Sequence, residues 1–216
     1  MSENIKKSVR VLLSEIVDYA GLFPPSKLPM AQAVTNYANY KNSNFKWMLG
    51  RFVVAVERLG EFAENAQDFF SRGGDVWKLS VLAGEDIYET VRRIEKFNRE
   101  FEGKAIADAL EIKAANSLEI ENIAAHIPEN IDAYFELPLN ENLADSVATL
   151  AVKKRRAKIR TGGITPEAFP PIEQPIRFMR TCLAANVPFK ATAGLHHPVH
   201  CGKALTYEKN APTGIM

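Results

Sequence analysis

Short apolar runs, rich in β-branched and aromatic residues, alternate along the chain with longer stretches of helical periodicity. Six runs predict strands, over residues 52–56, 77–82, 108–113, 133–137, 157–160 and 189–192. One intervening stretch places Ile87, Val91, Ile94 and Phe97 on a single helix face. Successive runs start roughly 25 to 30 residues apart, the length of one βα unit. The chain is therefore predicted to form a parallel sheet covered by helices.

The last four predicted strands separate their side chains into two faces, and this separation favours one of two folds. In each of these strands apolar residues alternate with polar or charged ones. An open, doubly wound sheet is buried on both faces and contains continuous apolar runs. A barrel instead turns one face of every strand toward a central axis. Because the alternation has a period of two, the predicted fold class is α/β, a (β/α) TIM-type barrel.

The first fifty residues contain no predicted strand, so we expect an N-terminal helical extension over 1–50 and the barrel over 51–216. The extension is predicted to hold a helix over 5–19, a loop over 18–25 with the sequence DYAGLFPP, and a second helix over 29–40. The simpler interpretation is a cover over the bottom of the barrel or an elaborated first βα unit. The alternative is that the loop brings Asp18 and Tyr19 to a functional site.

The length of the chain limits how much of a barrel it can build. A complete eight-stranded barrel usually needs about 250 residues, and this chain has 216. The chain supplies only about six βα units after its N-terminal extension. We therefore expect an incomplete barrel, either truncated at the C-terminus or completed by another subunit.

Composition excludes several classes of function. With 46% hydrophobic residues and 25% charged residues the chain is not intrinsically disordered. A net charge of +1 argues against broad binding of nucleic acid or of anionic membranes. No apolar run approaches the roughly 20 residues of a membrane span. Two cysteines provide no disulfide framework, so we expect a cytoplasmic protein.

Charged side chains are predicted to point into the barrel near the C-terminal ends of its strands. The set consists of Glu111, Lys113, Glu136, Lys158, Arg160 and Lys190. Burying charges is costly, so the set favours an active site. Structural ion pairs, or a strand register displaced by one residue, are the alternatives. Four cations against two anions give a local charge of about +2, which suits a small anionic metabolite.

These residue types permit covalent chemistry with a carbonyl compound. A lysine beside another cation has its pKa lowered, so Lys190, or alternatively Lys158, can attack a carbonyl and form a Schiff base. Glu136 can then move protons, and Arg160 can hold an anionic group. The remaining candidates for substrate binding are Lys113, Glu111, Thr192 and the turn of Thr161, Gly162 and Gly163, whose backbone amides can form an anion nest.

Two segments resemble class I aldolases of the deoxyribose-phosphate aldolase type. Residues 189–195, with the sequence FKATAGL, are similar to the strand of that family that carries its Schiff-base lysine, and Lys190 occupies the lysine position. Residues 157–162, AKIRTG, are similar to that family's preceding strand, and Glu136 falls near its acidic residue. The resemblance implies a barrel lyase that needs no cofactor.

The chain as a whole also resembles a family of bacterial proteins that share the segments DYAGLFPP, KIRTGG and FKATAGLHHP. No assigned activity comes with that resemblance.

A histidine cluster follows the last predicted strand. It consists of His196, His197, His200 and Cys201. Imidazole and thiolate groups are good ligands for transition metals, but this spacing is poor for a metal site. His196 or His197 can alternatively act as a general acid or base above Lys190, and all of them can be ordinary loop residues.

Three functional hypotheses remain open from the sequence. The first is a lyase of class I aldolase type that acts on a small anionic carbonyl or phosphorylated substrate. The second is a metal-dependent lyase or hydrolase that uses the histidine loop. The third is a non-catalytic binder of an anionic metabolite. For each we expect no nucleic-acid or membrane partner, and homo-oligomerisation is left open.

Overall fold

The computed structural model describes residues 5–70, 75–193, 202–204 and 213–215. The main strands are β1 (Val17–Tyr19), β2 (Leu49–Ala55), β3 (Trp77–Leu82), β4 (Ala105–Lys113), β5 (Asp132–Glu136), β6 (Arg156–Arg160) and β7 (Phe189–Thr192). The helices are α1 (Lys7–Leu13), α2 (Met30–Lys41), α3 (Leu59–Phe70), α4 (Ile87–Glu100), α5 (Ser117–Ala124), α6 (Leu143–Val152) and α7 (Glu173–Ala184).

These strands form a parallel sheet that curls into a half-barrel. Over the described residues the sheet has seven strands, and their spatial order follows the chain from β1 to β7. A helix lies between each pair of successive strands from β1 to β7. The fold is thus an incomplete (β/α) TIM-type barrel, and the predicted fold class is confirmed. Two further short strands, β8 (Gly202–Ala204) and β9 (Thr213–Ile215), form a separate antiparallel pair.

All six predicted strands are present, and the described parallel sheet contains one more, β1, that the sequence pattern did not reveal. The predicted helix over 5–19 is shorter, Lys7–Leu13, and β1 follows it. β1 pairs in parallel with β2, with Val17 opposite Leu49 and Tyr19 opposite Phe52. The segment predicted as a helical extension therefore contributes the first strand of the sheet. A strand of three residues is too short to show a period of two, so no alternation marked it.

The hydrophobic core lies between the outer face of the sheet and the helices. The outer face consists of apolar residues that are almost fully buried, among them Phe52, Val54, Leu79, Val81, Leu110, Phe135 and Ile159. On the helix side, Val91, Ile94 and Phe97 of α4 are buried, as their spacing predicted. Because the outer face is apolar, the alternating polar residues must point toward the axis of the half-barrel.

Part of this inner face is an ion-pair network that joins four strands. Arg51 Nε lies 2.7 Å from Asp108 Oδ1, and Arg51 Nη2 lies 3.3 Å from Asp132 Oδ2. Arg156 Nη2 lies 2.7 Å from the other oxygen of Asp132. Asp132 and Arg156 are the first residues of β5 and β6, so this network occupies the N-terminal side of the barrel.

None of the helices in the described part of the chain is both long and apolar enough to cross a membrane.

The packing of the outer sheet face predicts a large stability loss when Phe135 is truncated. Phe135 is completely buried on β5, whereas the side chain of Phe45 is 63% exposed. Phe135→Ala should lower the free energy of unfolding by about 3–5 kcal/mol, because it removes buried surface and leaves a cavity. Phe45→Ala, the matched control, should change it by no more than about 0.5 kcal/mol. Urea denaturation compares the two variants, and equal losses would contradict the described packing.

Candidate active site

Two lysines share one buried carboxylate inside the half-barrel. Lys190 Nζ lies 2.5 Å from Glu111 Oε1, and Lys158 Nζ lies 2.8 Å from Glu111 Oε2. The side chain of Glu111 is 3% exposed, that of Lys158 8% and that of Lys190 16%. β4, β6 and β7 thus bring their charged groups to one point on the concave face. The predicted strand register is therefore right for these three residues.

The charged chain continues from Lys158 to Glu136. Lys158 Nζ lies 2.7 Å from Glu136 Oε2. The register explains this contact, because Glu136 pairs with Lys158, and Lys158 pairs with Lys190, across neighbouring strands. Glu136 is the last residue of β5 and is more exposed than Lys158. It therefore lies level with the two lysines across the sheet, at the C-terminal end of its own strand.

Lys190 also contacts side chains of β1 and β3, which lie toward the other edge of the sheet. Its Nζ donates to Asp18 Oδ2 at 3.1 Å and to Ser80 Oγ at 3.2 Å. The Ser80 hydroxyl donates in turn to Glu111 Oε1 at 2.8 Å. Within the described residues an ammonium group with three N–H donors thus finds three acceptors. β1 and β7, the two edges of the sheet, meet through the pair of Asp18 and Lys190.

Tyr134 separates this cluster from the Arg51 network below it. Lys190 Nζ lies 4.6 Å from the centre of the Tyr134 ring, and the Arg156 guanidinium lies 5.6 Å from it. Both distances are within the range of cation–π attraction. The aromatic ring therefore stabilises cations in both layers while keeping them apart.

The structure adds three residues to the predicted site. Asp18 reaches it, as one of the two interpretations of its segment proposed, but from strand β1 and not from a loop. Ser80 and Tyr134 were not among the predicted site residues. The alternation of polar and apolar residues along the strands could have indicated them. Ser80, for example, is a polar residue between the apolar residues Leu79 and Val81, and it is fully buried.

Asp18 is held in place by β2. Its Oδ1 accepts the backbone N–H of Arg51 at 2.7 Å. A Cβ atom added at Gly50 would lie 2.4 Å from the same oxygen, and 3.0 Å from the backbone oxygen of Glu15. Only glycine at position 50 therefore allows the carboxylate to approach the backbone so closely.

Two of the six predicted inward charges do not join the cluster. Lys113 and Arg160 are exposed residues at the last positions of β4 and β6. Arg160 Nε donates to the carbonyl oxygen of Gly162 at 3.0 Å. These side chains extend into solvent because the strands that carry them end there.

The charge of the assembled cluster is consequently different from the expected value. Asp18, Glu111 and Glu136 contribute three negative charges, while Lys158 and Lys190 contribute two positive ones. The net charge is −1, and the expected +2 is wrong because it counted Lys113 and Arg160 and omitted Asp18.

The pKa of Lys190 is also shifted in the direction opposite to the expected one. Burial lowers the pKa of Lys190, but the charges of Glu111 and Asp18, with their hydrogen bonds, outweigh it and raise the pKa above its usual value. Burial likewise raises the pKa of Glu111, and the charges of Lys190 and Lys158 outweigh it, so that pKa is lowered. The prediction that a neighbouring cation lowers the pKa of Lys190 is wrong, because carboxylates contact it directly.

The turn after β6 makes its described contacts within itself and with β7. The Thr161 hydroxyl is hydrogen-bonded to the carbonyl oxygens of Thr192, at 3.4 Å, and Ala193. Thr192 Oγ1 donates to the carbonyl oxygen of Ile159 at 3.5 Å. A Cβ atom at Gly163 would lie 2.7 Å from the Cβ of Ala168. A role of Thr161, Gly162, Gly163 and Thr192 in substrate binding stays a prediction.

The predicted histidine cluster, His196, His197, His200 and Cys201, lies outside the described residues. Among the residues that the structure describes, no group of three or more His, Cys, Asp or Glu side chains is arranged to hold a metal ion.

Comparison with models of known protein families gives no match, and neither does comparison with curated protein sequences. The geometry and chemistry of the cluster therefore carry the functional argument.

Removal of Lys158 should destabilise the protein strongly. Lys158→Met leaves two carboxylates of the cluster, Glu111 and Glu136, without their shared cation. The expected loss in the free energy of unfolding is about 3–5 kcal/mol. The matched control is Lys153→Met, which removes a long surface contact of 3.9 Å to Glu121 and should cost no more than about 1 kcal/mol. Similar losses in both variants, measured by urea denaturation, would contradict the buried network.

Glu111 should make the stability sensitive to acid. Because its pKa is lower in the folded protein than in the unfolded chain, its contribution is complete above the unfolded value of about 4.3 and is lost as the pH falls through the folded value. The free energy of unfolding should therefore fall less steeply in acid for Glu111→Gln than for the wild type. Glu102→Gln, at an exposed position, should keep the wild-type slope. Equal slopes for Glu111→Gln and the wild type would refute the role of Glu111.

Proposed function

We propose that the protein is a lyase of the class I aldolase type, in which Lys190 forms a Schiff base with a small carbonyl substrate that carries an anionic group. The observation that carries the proposal is the pair of lysines, Lys158 buried and Lys190 partly buried, that share the buried Glu111 inside a (β/α) barrel. The resemblance of residues 189–195 to the Schiff-base strand of such aldolases supports the same lysine.

The free-energy cost of burying the charged cluster supports a catalytic role over a purely structural one. Five charged side chains meet here, and each loses hydration when it is buried. Apolar residues of similar volume would often stabilise a protein equally well or better at such positions. Perturbed ionisable groups that converge inside a barrel are typical of active sites.

The proposed reaction begins with the loss of one proton from the Lys190 ammonium group to a neighbouring carboxylate. The nitrogen lone pair then attacks the carbonyl carbon, and a C–N bond forms. The carbonyl oxygen leaves as water after it has accepted two protons, one from the attacking nitrogen and one from Glu136 in its acid form or from solvent. The product is a protonated imine, which is the electron sink that the next step needs.

Cleavage of the carbon–carbon bond follows from the same groups. Glu136 accepts the proton of the substrate hydroxyl, and the freed electron pair forms a C=O bond as the C–C bond breaks, so that the first product leaves as an aldehyde or ketone. The electron pair of the broken C–C bond forms the C=C bond of an enamine, and the π electrons of the imine move to its nitrogen. The resulting enamine is protonated at carbon, and water hydrolyses the imine to release the second product and Lys190. The position of Glu136 at the C-terminal end of β5 suits a group that exchanges protons with substrate.

Two cationic residues at the C-terminal rim of the barrel support the proposed substrate class. Lys113 and Arg160 lie exposed at the ends of β4 and β6, where a carboxylate or phosphate group can pair with them. A small anionic metabolite, with no nucleic acid or membrane as partner, agrees with the net charge of +1. We propose the cytoplasm as the location, since two cysteines give no disulfide framework.

A non-catalytic binder of an anionic metabolite is the second candidate. The observation that favours it is the resting state of Lys190, whose pKa is raised by Glu111 and Asp18 against the effect of burial. Such a lysine is an ammonium group at neutral pH and binds anions as a charge. This candidate predicts ligand binding without any covalent product.

Reduction with borohydride distinguishes the two candidates. The protein is incubated with a panel of small aldehydes, keto acids and sugar phosphates, reduced, and digested for mass spectrometry. A lyase should give a stable secondary amine on Lys190, and Lys190→Arg, which keeps the charge, should give none. Lys96→Arg, at a position that is 65% exposed, should react as the wild type does. No adduct with any member of the panel would refute the lyase and leave the binder.

A further inference from the structure

The structure indicates where the proton of Lys190 goes, an inference that rests on the proposed function. Before it can attack a carbonyl, the Lys190 ammonium group must lose one proton. Its Nζ has three hydrogen-bond partners among the described residues, namely Glu111, Ser80 and Asp18. One of them must be the acceptor if the proton leaves directly.

Glu111 and Ser80 are poor acceptors. Glu111 is 3% exposed, and its two oxygens already accept hydrogen bonds from Lys190, Lys158 and Ser80. A proton placed there would disrupt the pair with Lys158 and would have no contact with solvent. Ser80 is completely buried, and its own proton is engaged with Glu111.

Asp18 has the properties that Glu111 lacks. Its side chain is 24% exposed, and its Oδ1 is anchored by the Arg51 N–H while its Oδ2 faces Lys190. A proton accepted by Asp18 can therefore pass to water.

We propose that Asp18 is a catalytic base that takes the proton from Lys190 and releases it to solvent at the β1 edge. The N–H bond of Lys190 breaks, the electron pair stays on nitrogen, and an O–H bond forms on Asp18. Water then removes that proton. The proton that later expels water from the carbinolamine comes from Glu136 or solvent, so the overall reaction of ammonium and carbonyl to protonated imine and water is balanced.

Gly50 is a positioning residue in this scheme. The space that a side chain at position 50 would need is occupied by Asp18 Oδ1, 2.4 Å from the added Cβ atom. Gly50→Ala should therefore displace the carboxylate from Lys190 without removing its charge.

The test separates proton transfer from simple electrostatics. In Asp18→Asn the loss of a negative charge makes neutral Lys190 more abundant, so an electrostatic role alone predicts faster reaction with carbonyls. A proton-accepting role predicts slower reaction, by at least about tenfold. The probe is formaldehyde with cyanoborohydride, and the rate of methylation of Lys190 is followed by peptide mass spectrometry near neutral pH.

Three further variants complete the experiment. Asp18→Ala should also be slow and should recover with added formate, because a free carboxylate can occupy the vacated space. Gly50→Ala should be slowed in the same direction, with an unchanged circular dichroism spectrum as the check on folding. Asp108→Asn, which removes an inner-face carboxylate that binds Arg51 and not Lys190, should react at the wild-type rate.

The outcomes distinguish this inference from the proposed function. If the wild type traps a substrate on Lys190 while Asp18→Asn methylates as fast or faster and formate has no effect, the inference is overturned and the lyase stands. If the wild type traps no substrate, the lyase fails. Slow methylation of the Asp18 variants with rescue by formate would then still support proton transfer to Asp18, and wild-type rates would overturn it.

Discussion

The carboxylate of Glu111 is the interaction on which the charged interior depends. Each of its oxygens accepts one lysine ammonium group, and the side chain is almost inaccessible to water. Because the two lysines come from β6 and β7 and Glu111 from β4, this single group holds three strands of the curled sheet together. Its two cations also keep it ionised, since they outweigh the effect of burial and lower its pKa. Removal of any one of these charges would leave the others uncompensated in a region of low dielectric constant.

The two faces of the sheet have different roles: the outer face stabilises the fold, and the inner face carries the groups of the proposed reaction. The outer face is apolar and packs against the helices, so its contribution to stability comes from buried hydrocarbon surface. The inner face holds two polar layers with Tyr134 between them. The lower layer pairs arginines with aspartates at the N-terminal ends of β5 and β6, the side of such barrels that is associated with stability. The upper layer holds the lysines and Glu136, and there we place the proposed reaction.

Alternation of period two was sufficient to predict the fold class, the six longer strands and the convergence of Glu111, Glu136, Lys158 and Lys190. It could not reveal β1, because three residues carry too little pattern, and Asp18 was therefore placed in a loop. The alternation also could not distinguish side chains inside the barrel from Lys113 and Arg160, which follow the same period but lie where their strands end. The direction of the pKa shift of Lys190 depends on Asp18 and Glu111 as direct neighbours. Asp18 and Lys190 are 172 positions apart in the sequence, and no local pattern encodes a contact at that distance.

The central claim is that Lys190 is a nucleophile served by the carboxylates around it. A crystal structure of the borohydride-reduced protein, prepared with a carbonyl compound that reacts, tests this claim most directly. The account predicts electron density that continues from Lys190 Nζ into the adduct, with Asp18 and Glu111 within hydrogen-bond distance of that nitrogen and Glu136 facing the bound fragment. Density for the adduct on an exposed lysine, with Lys190 still paired to Glu111 and Asp18, would contradict it.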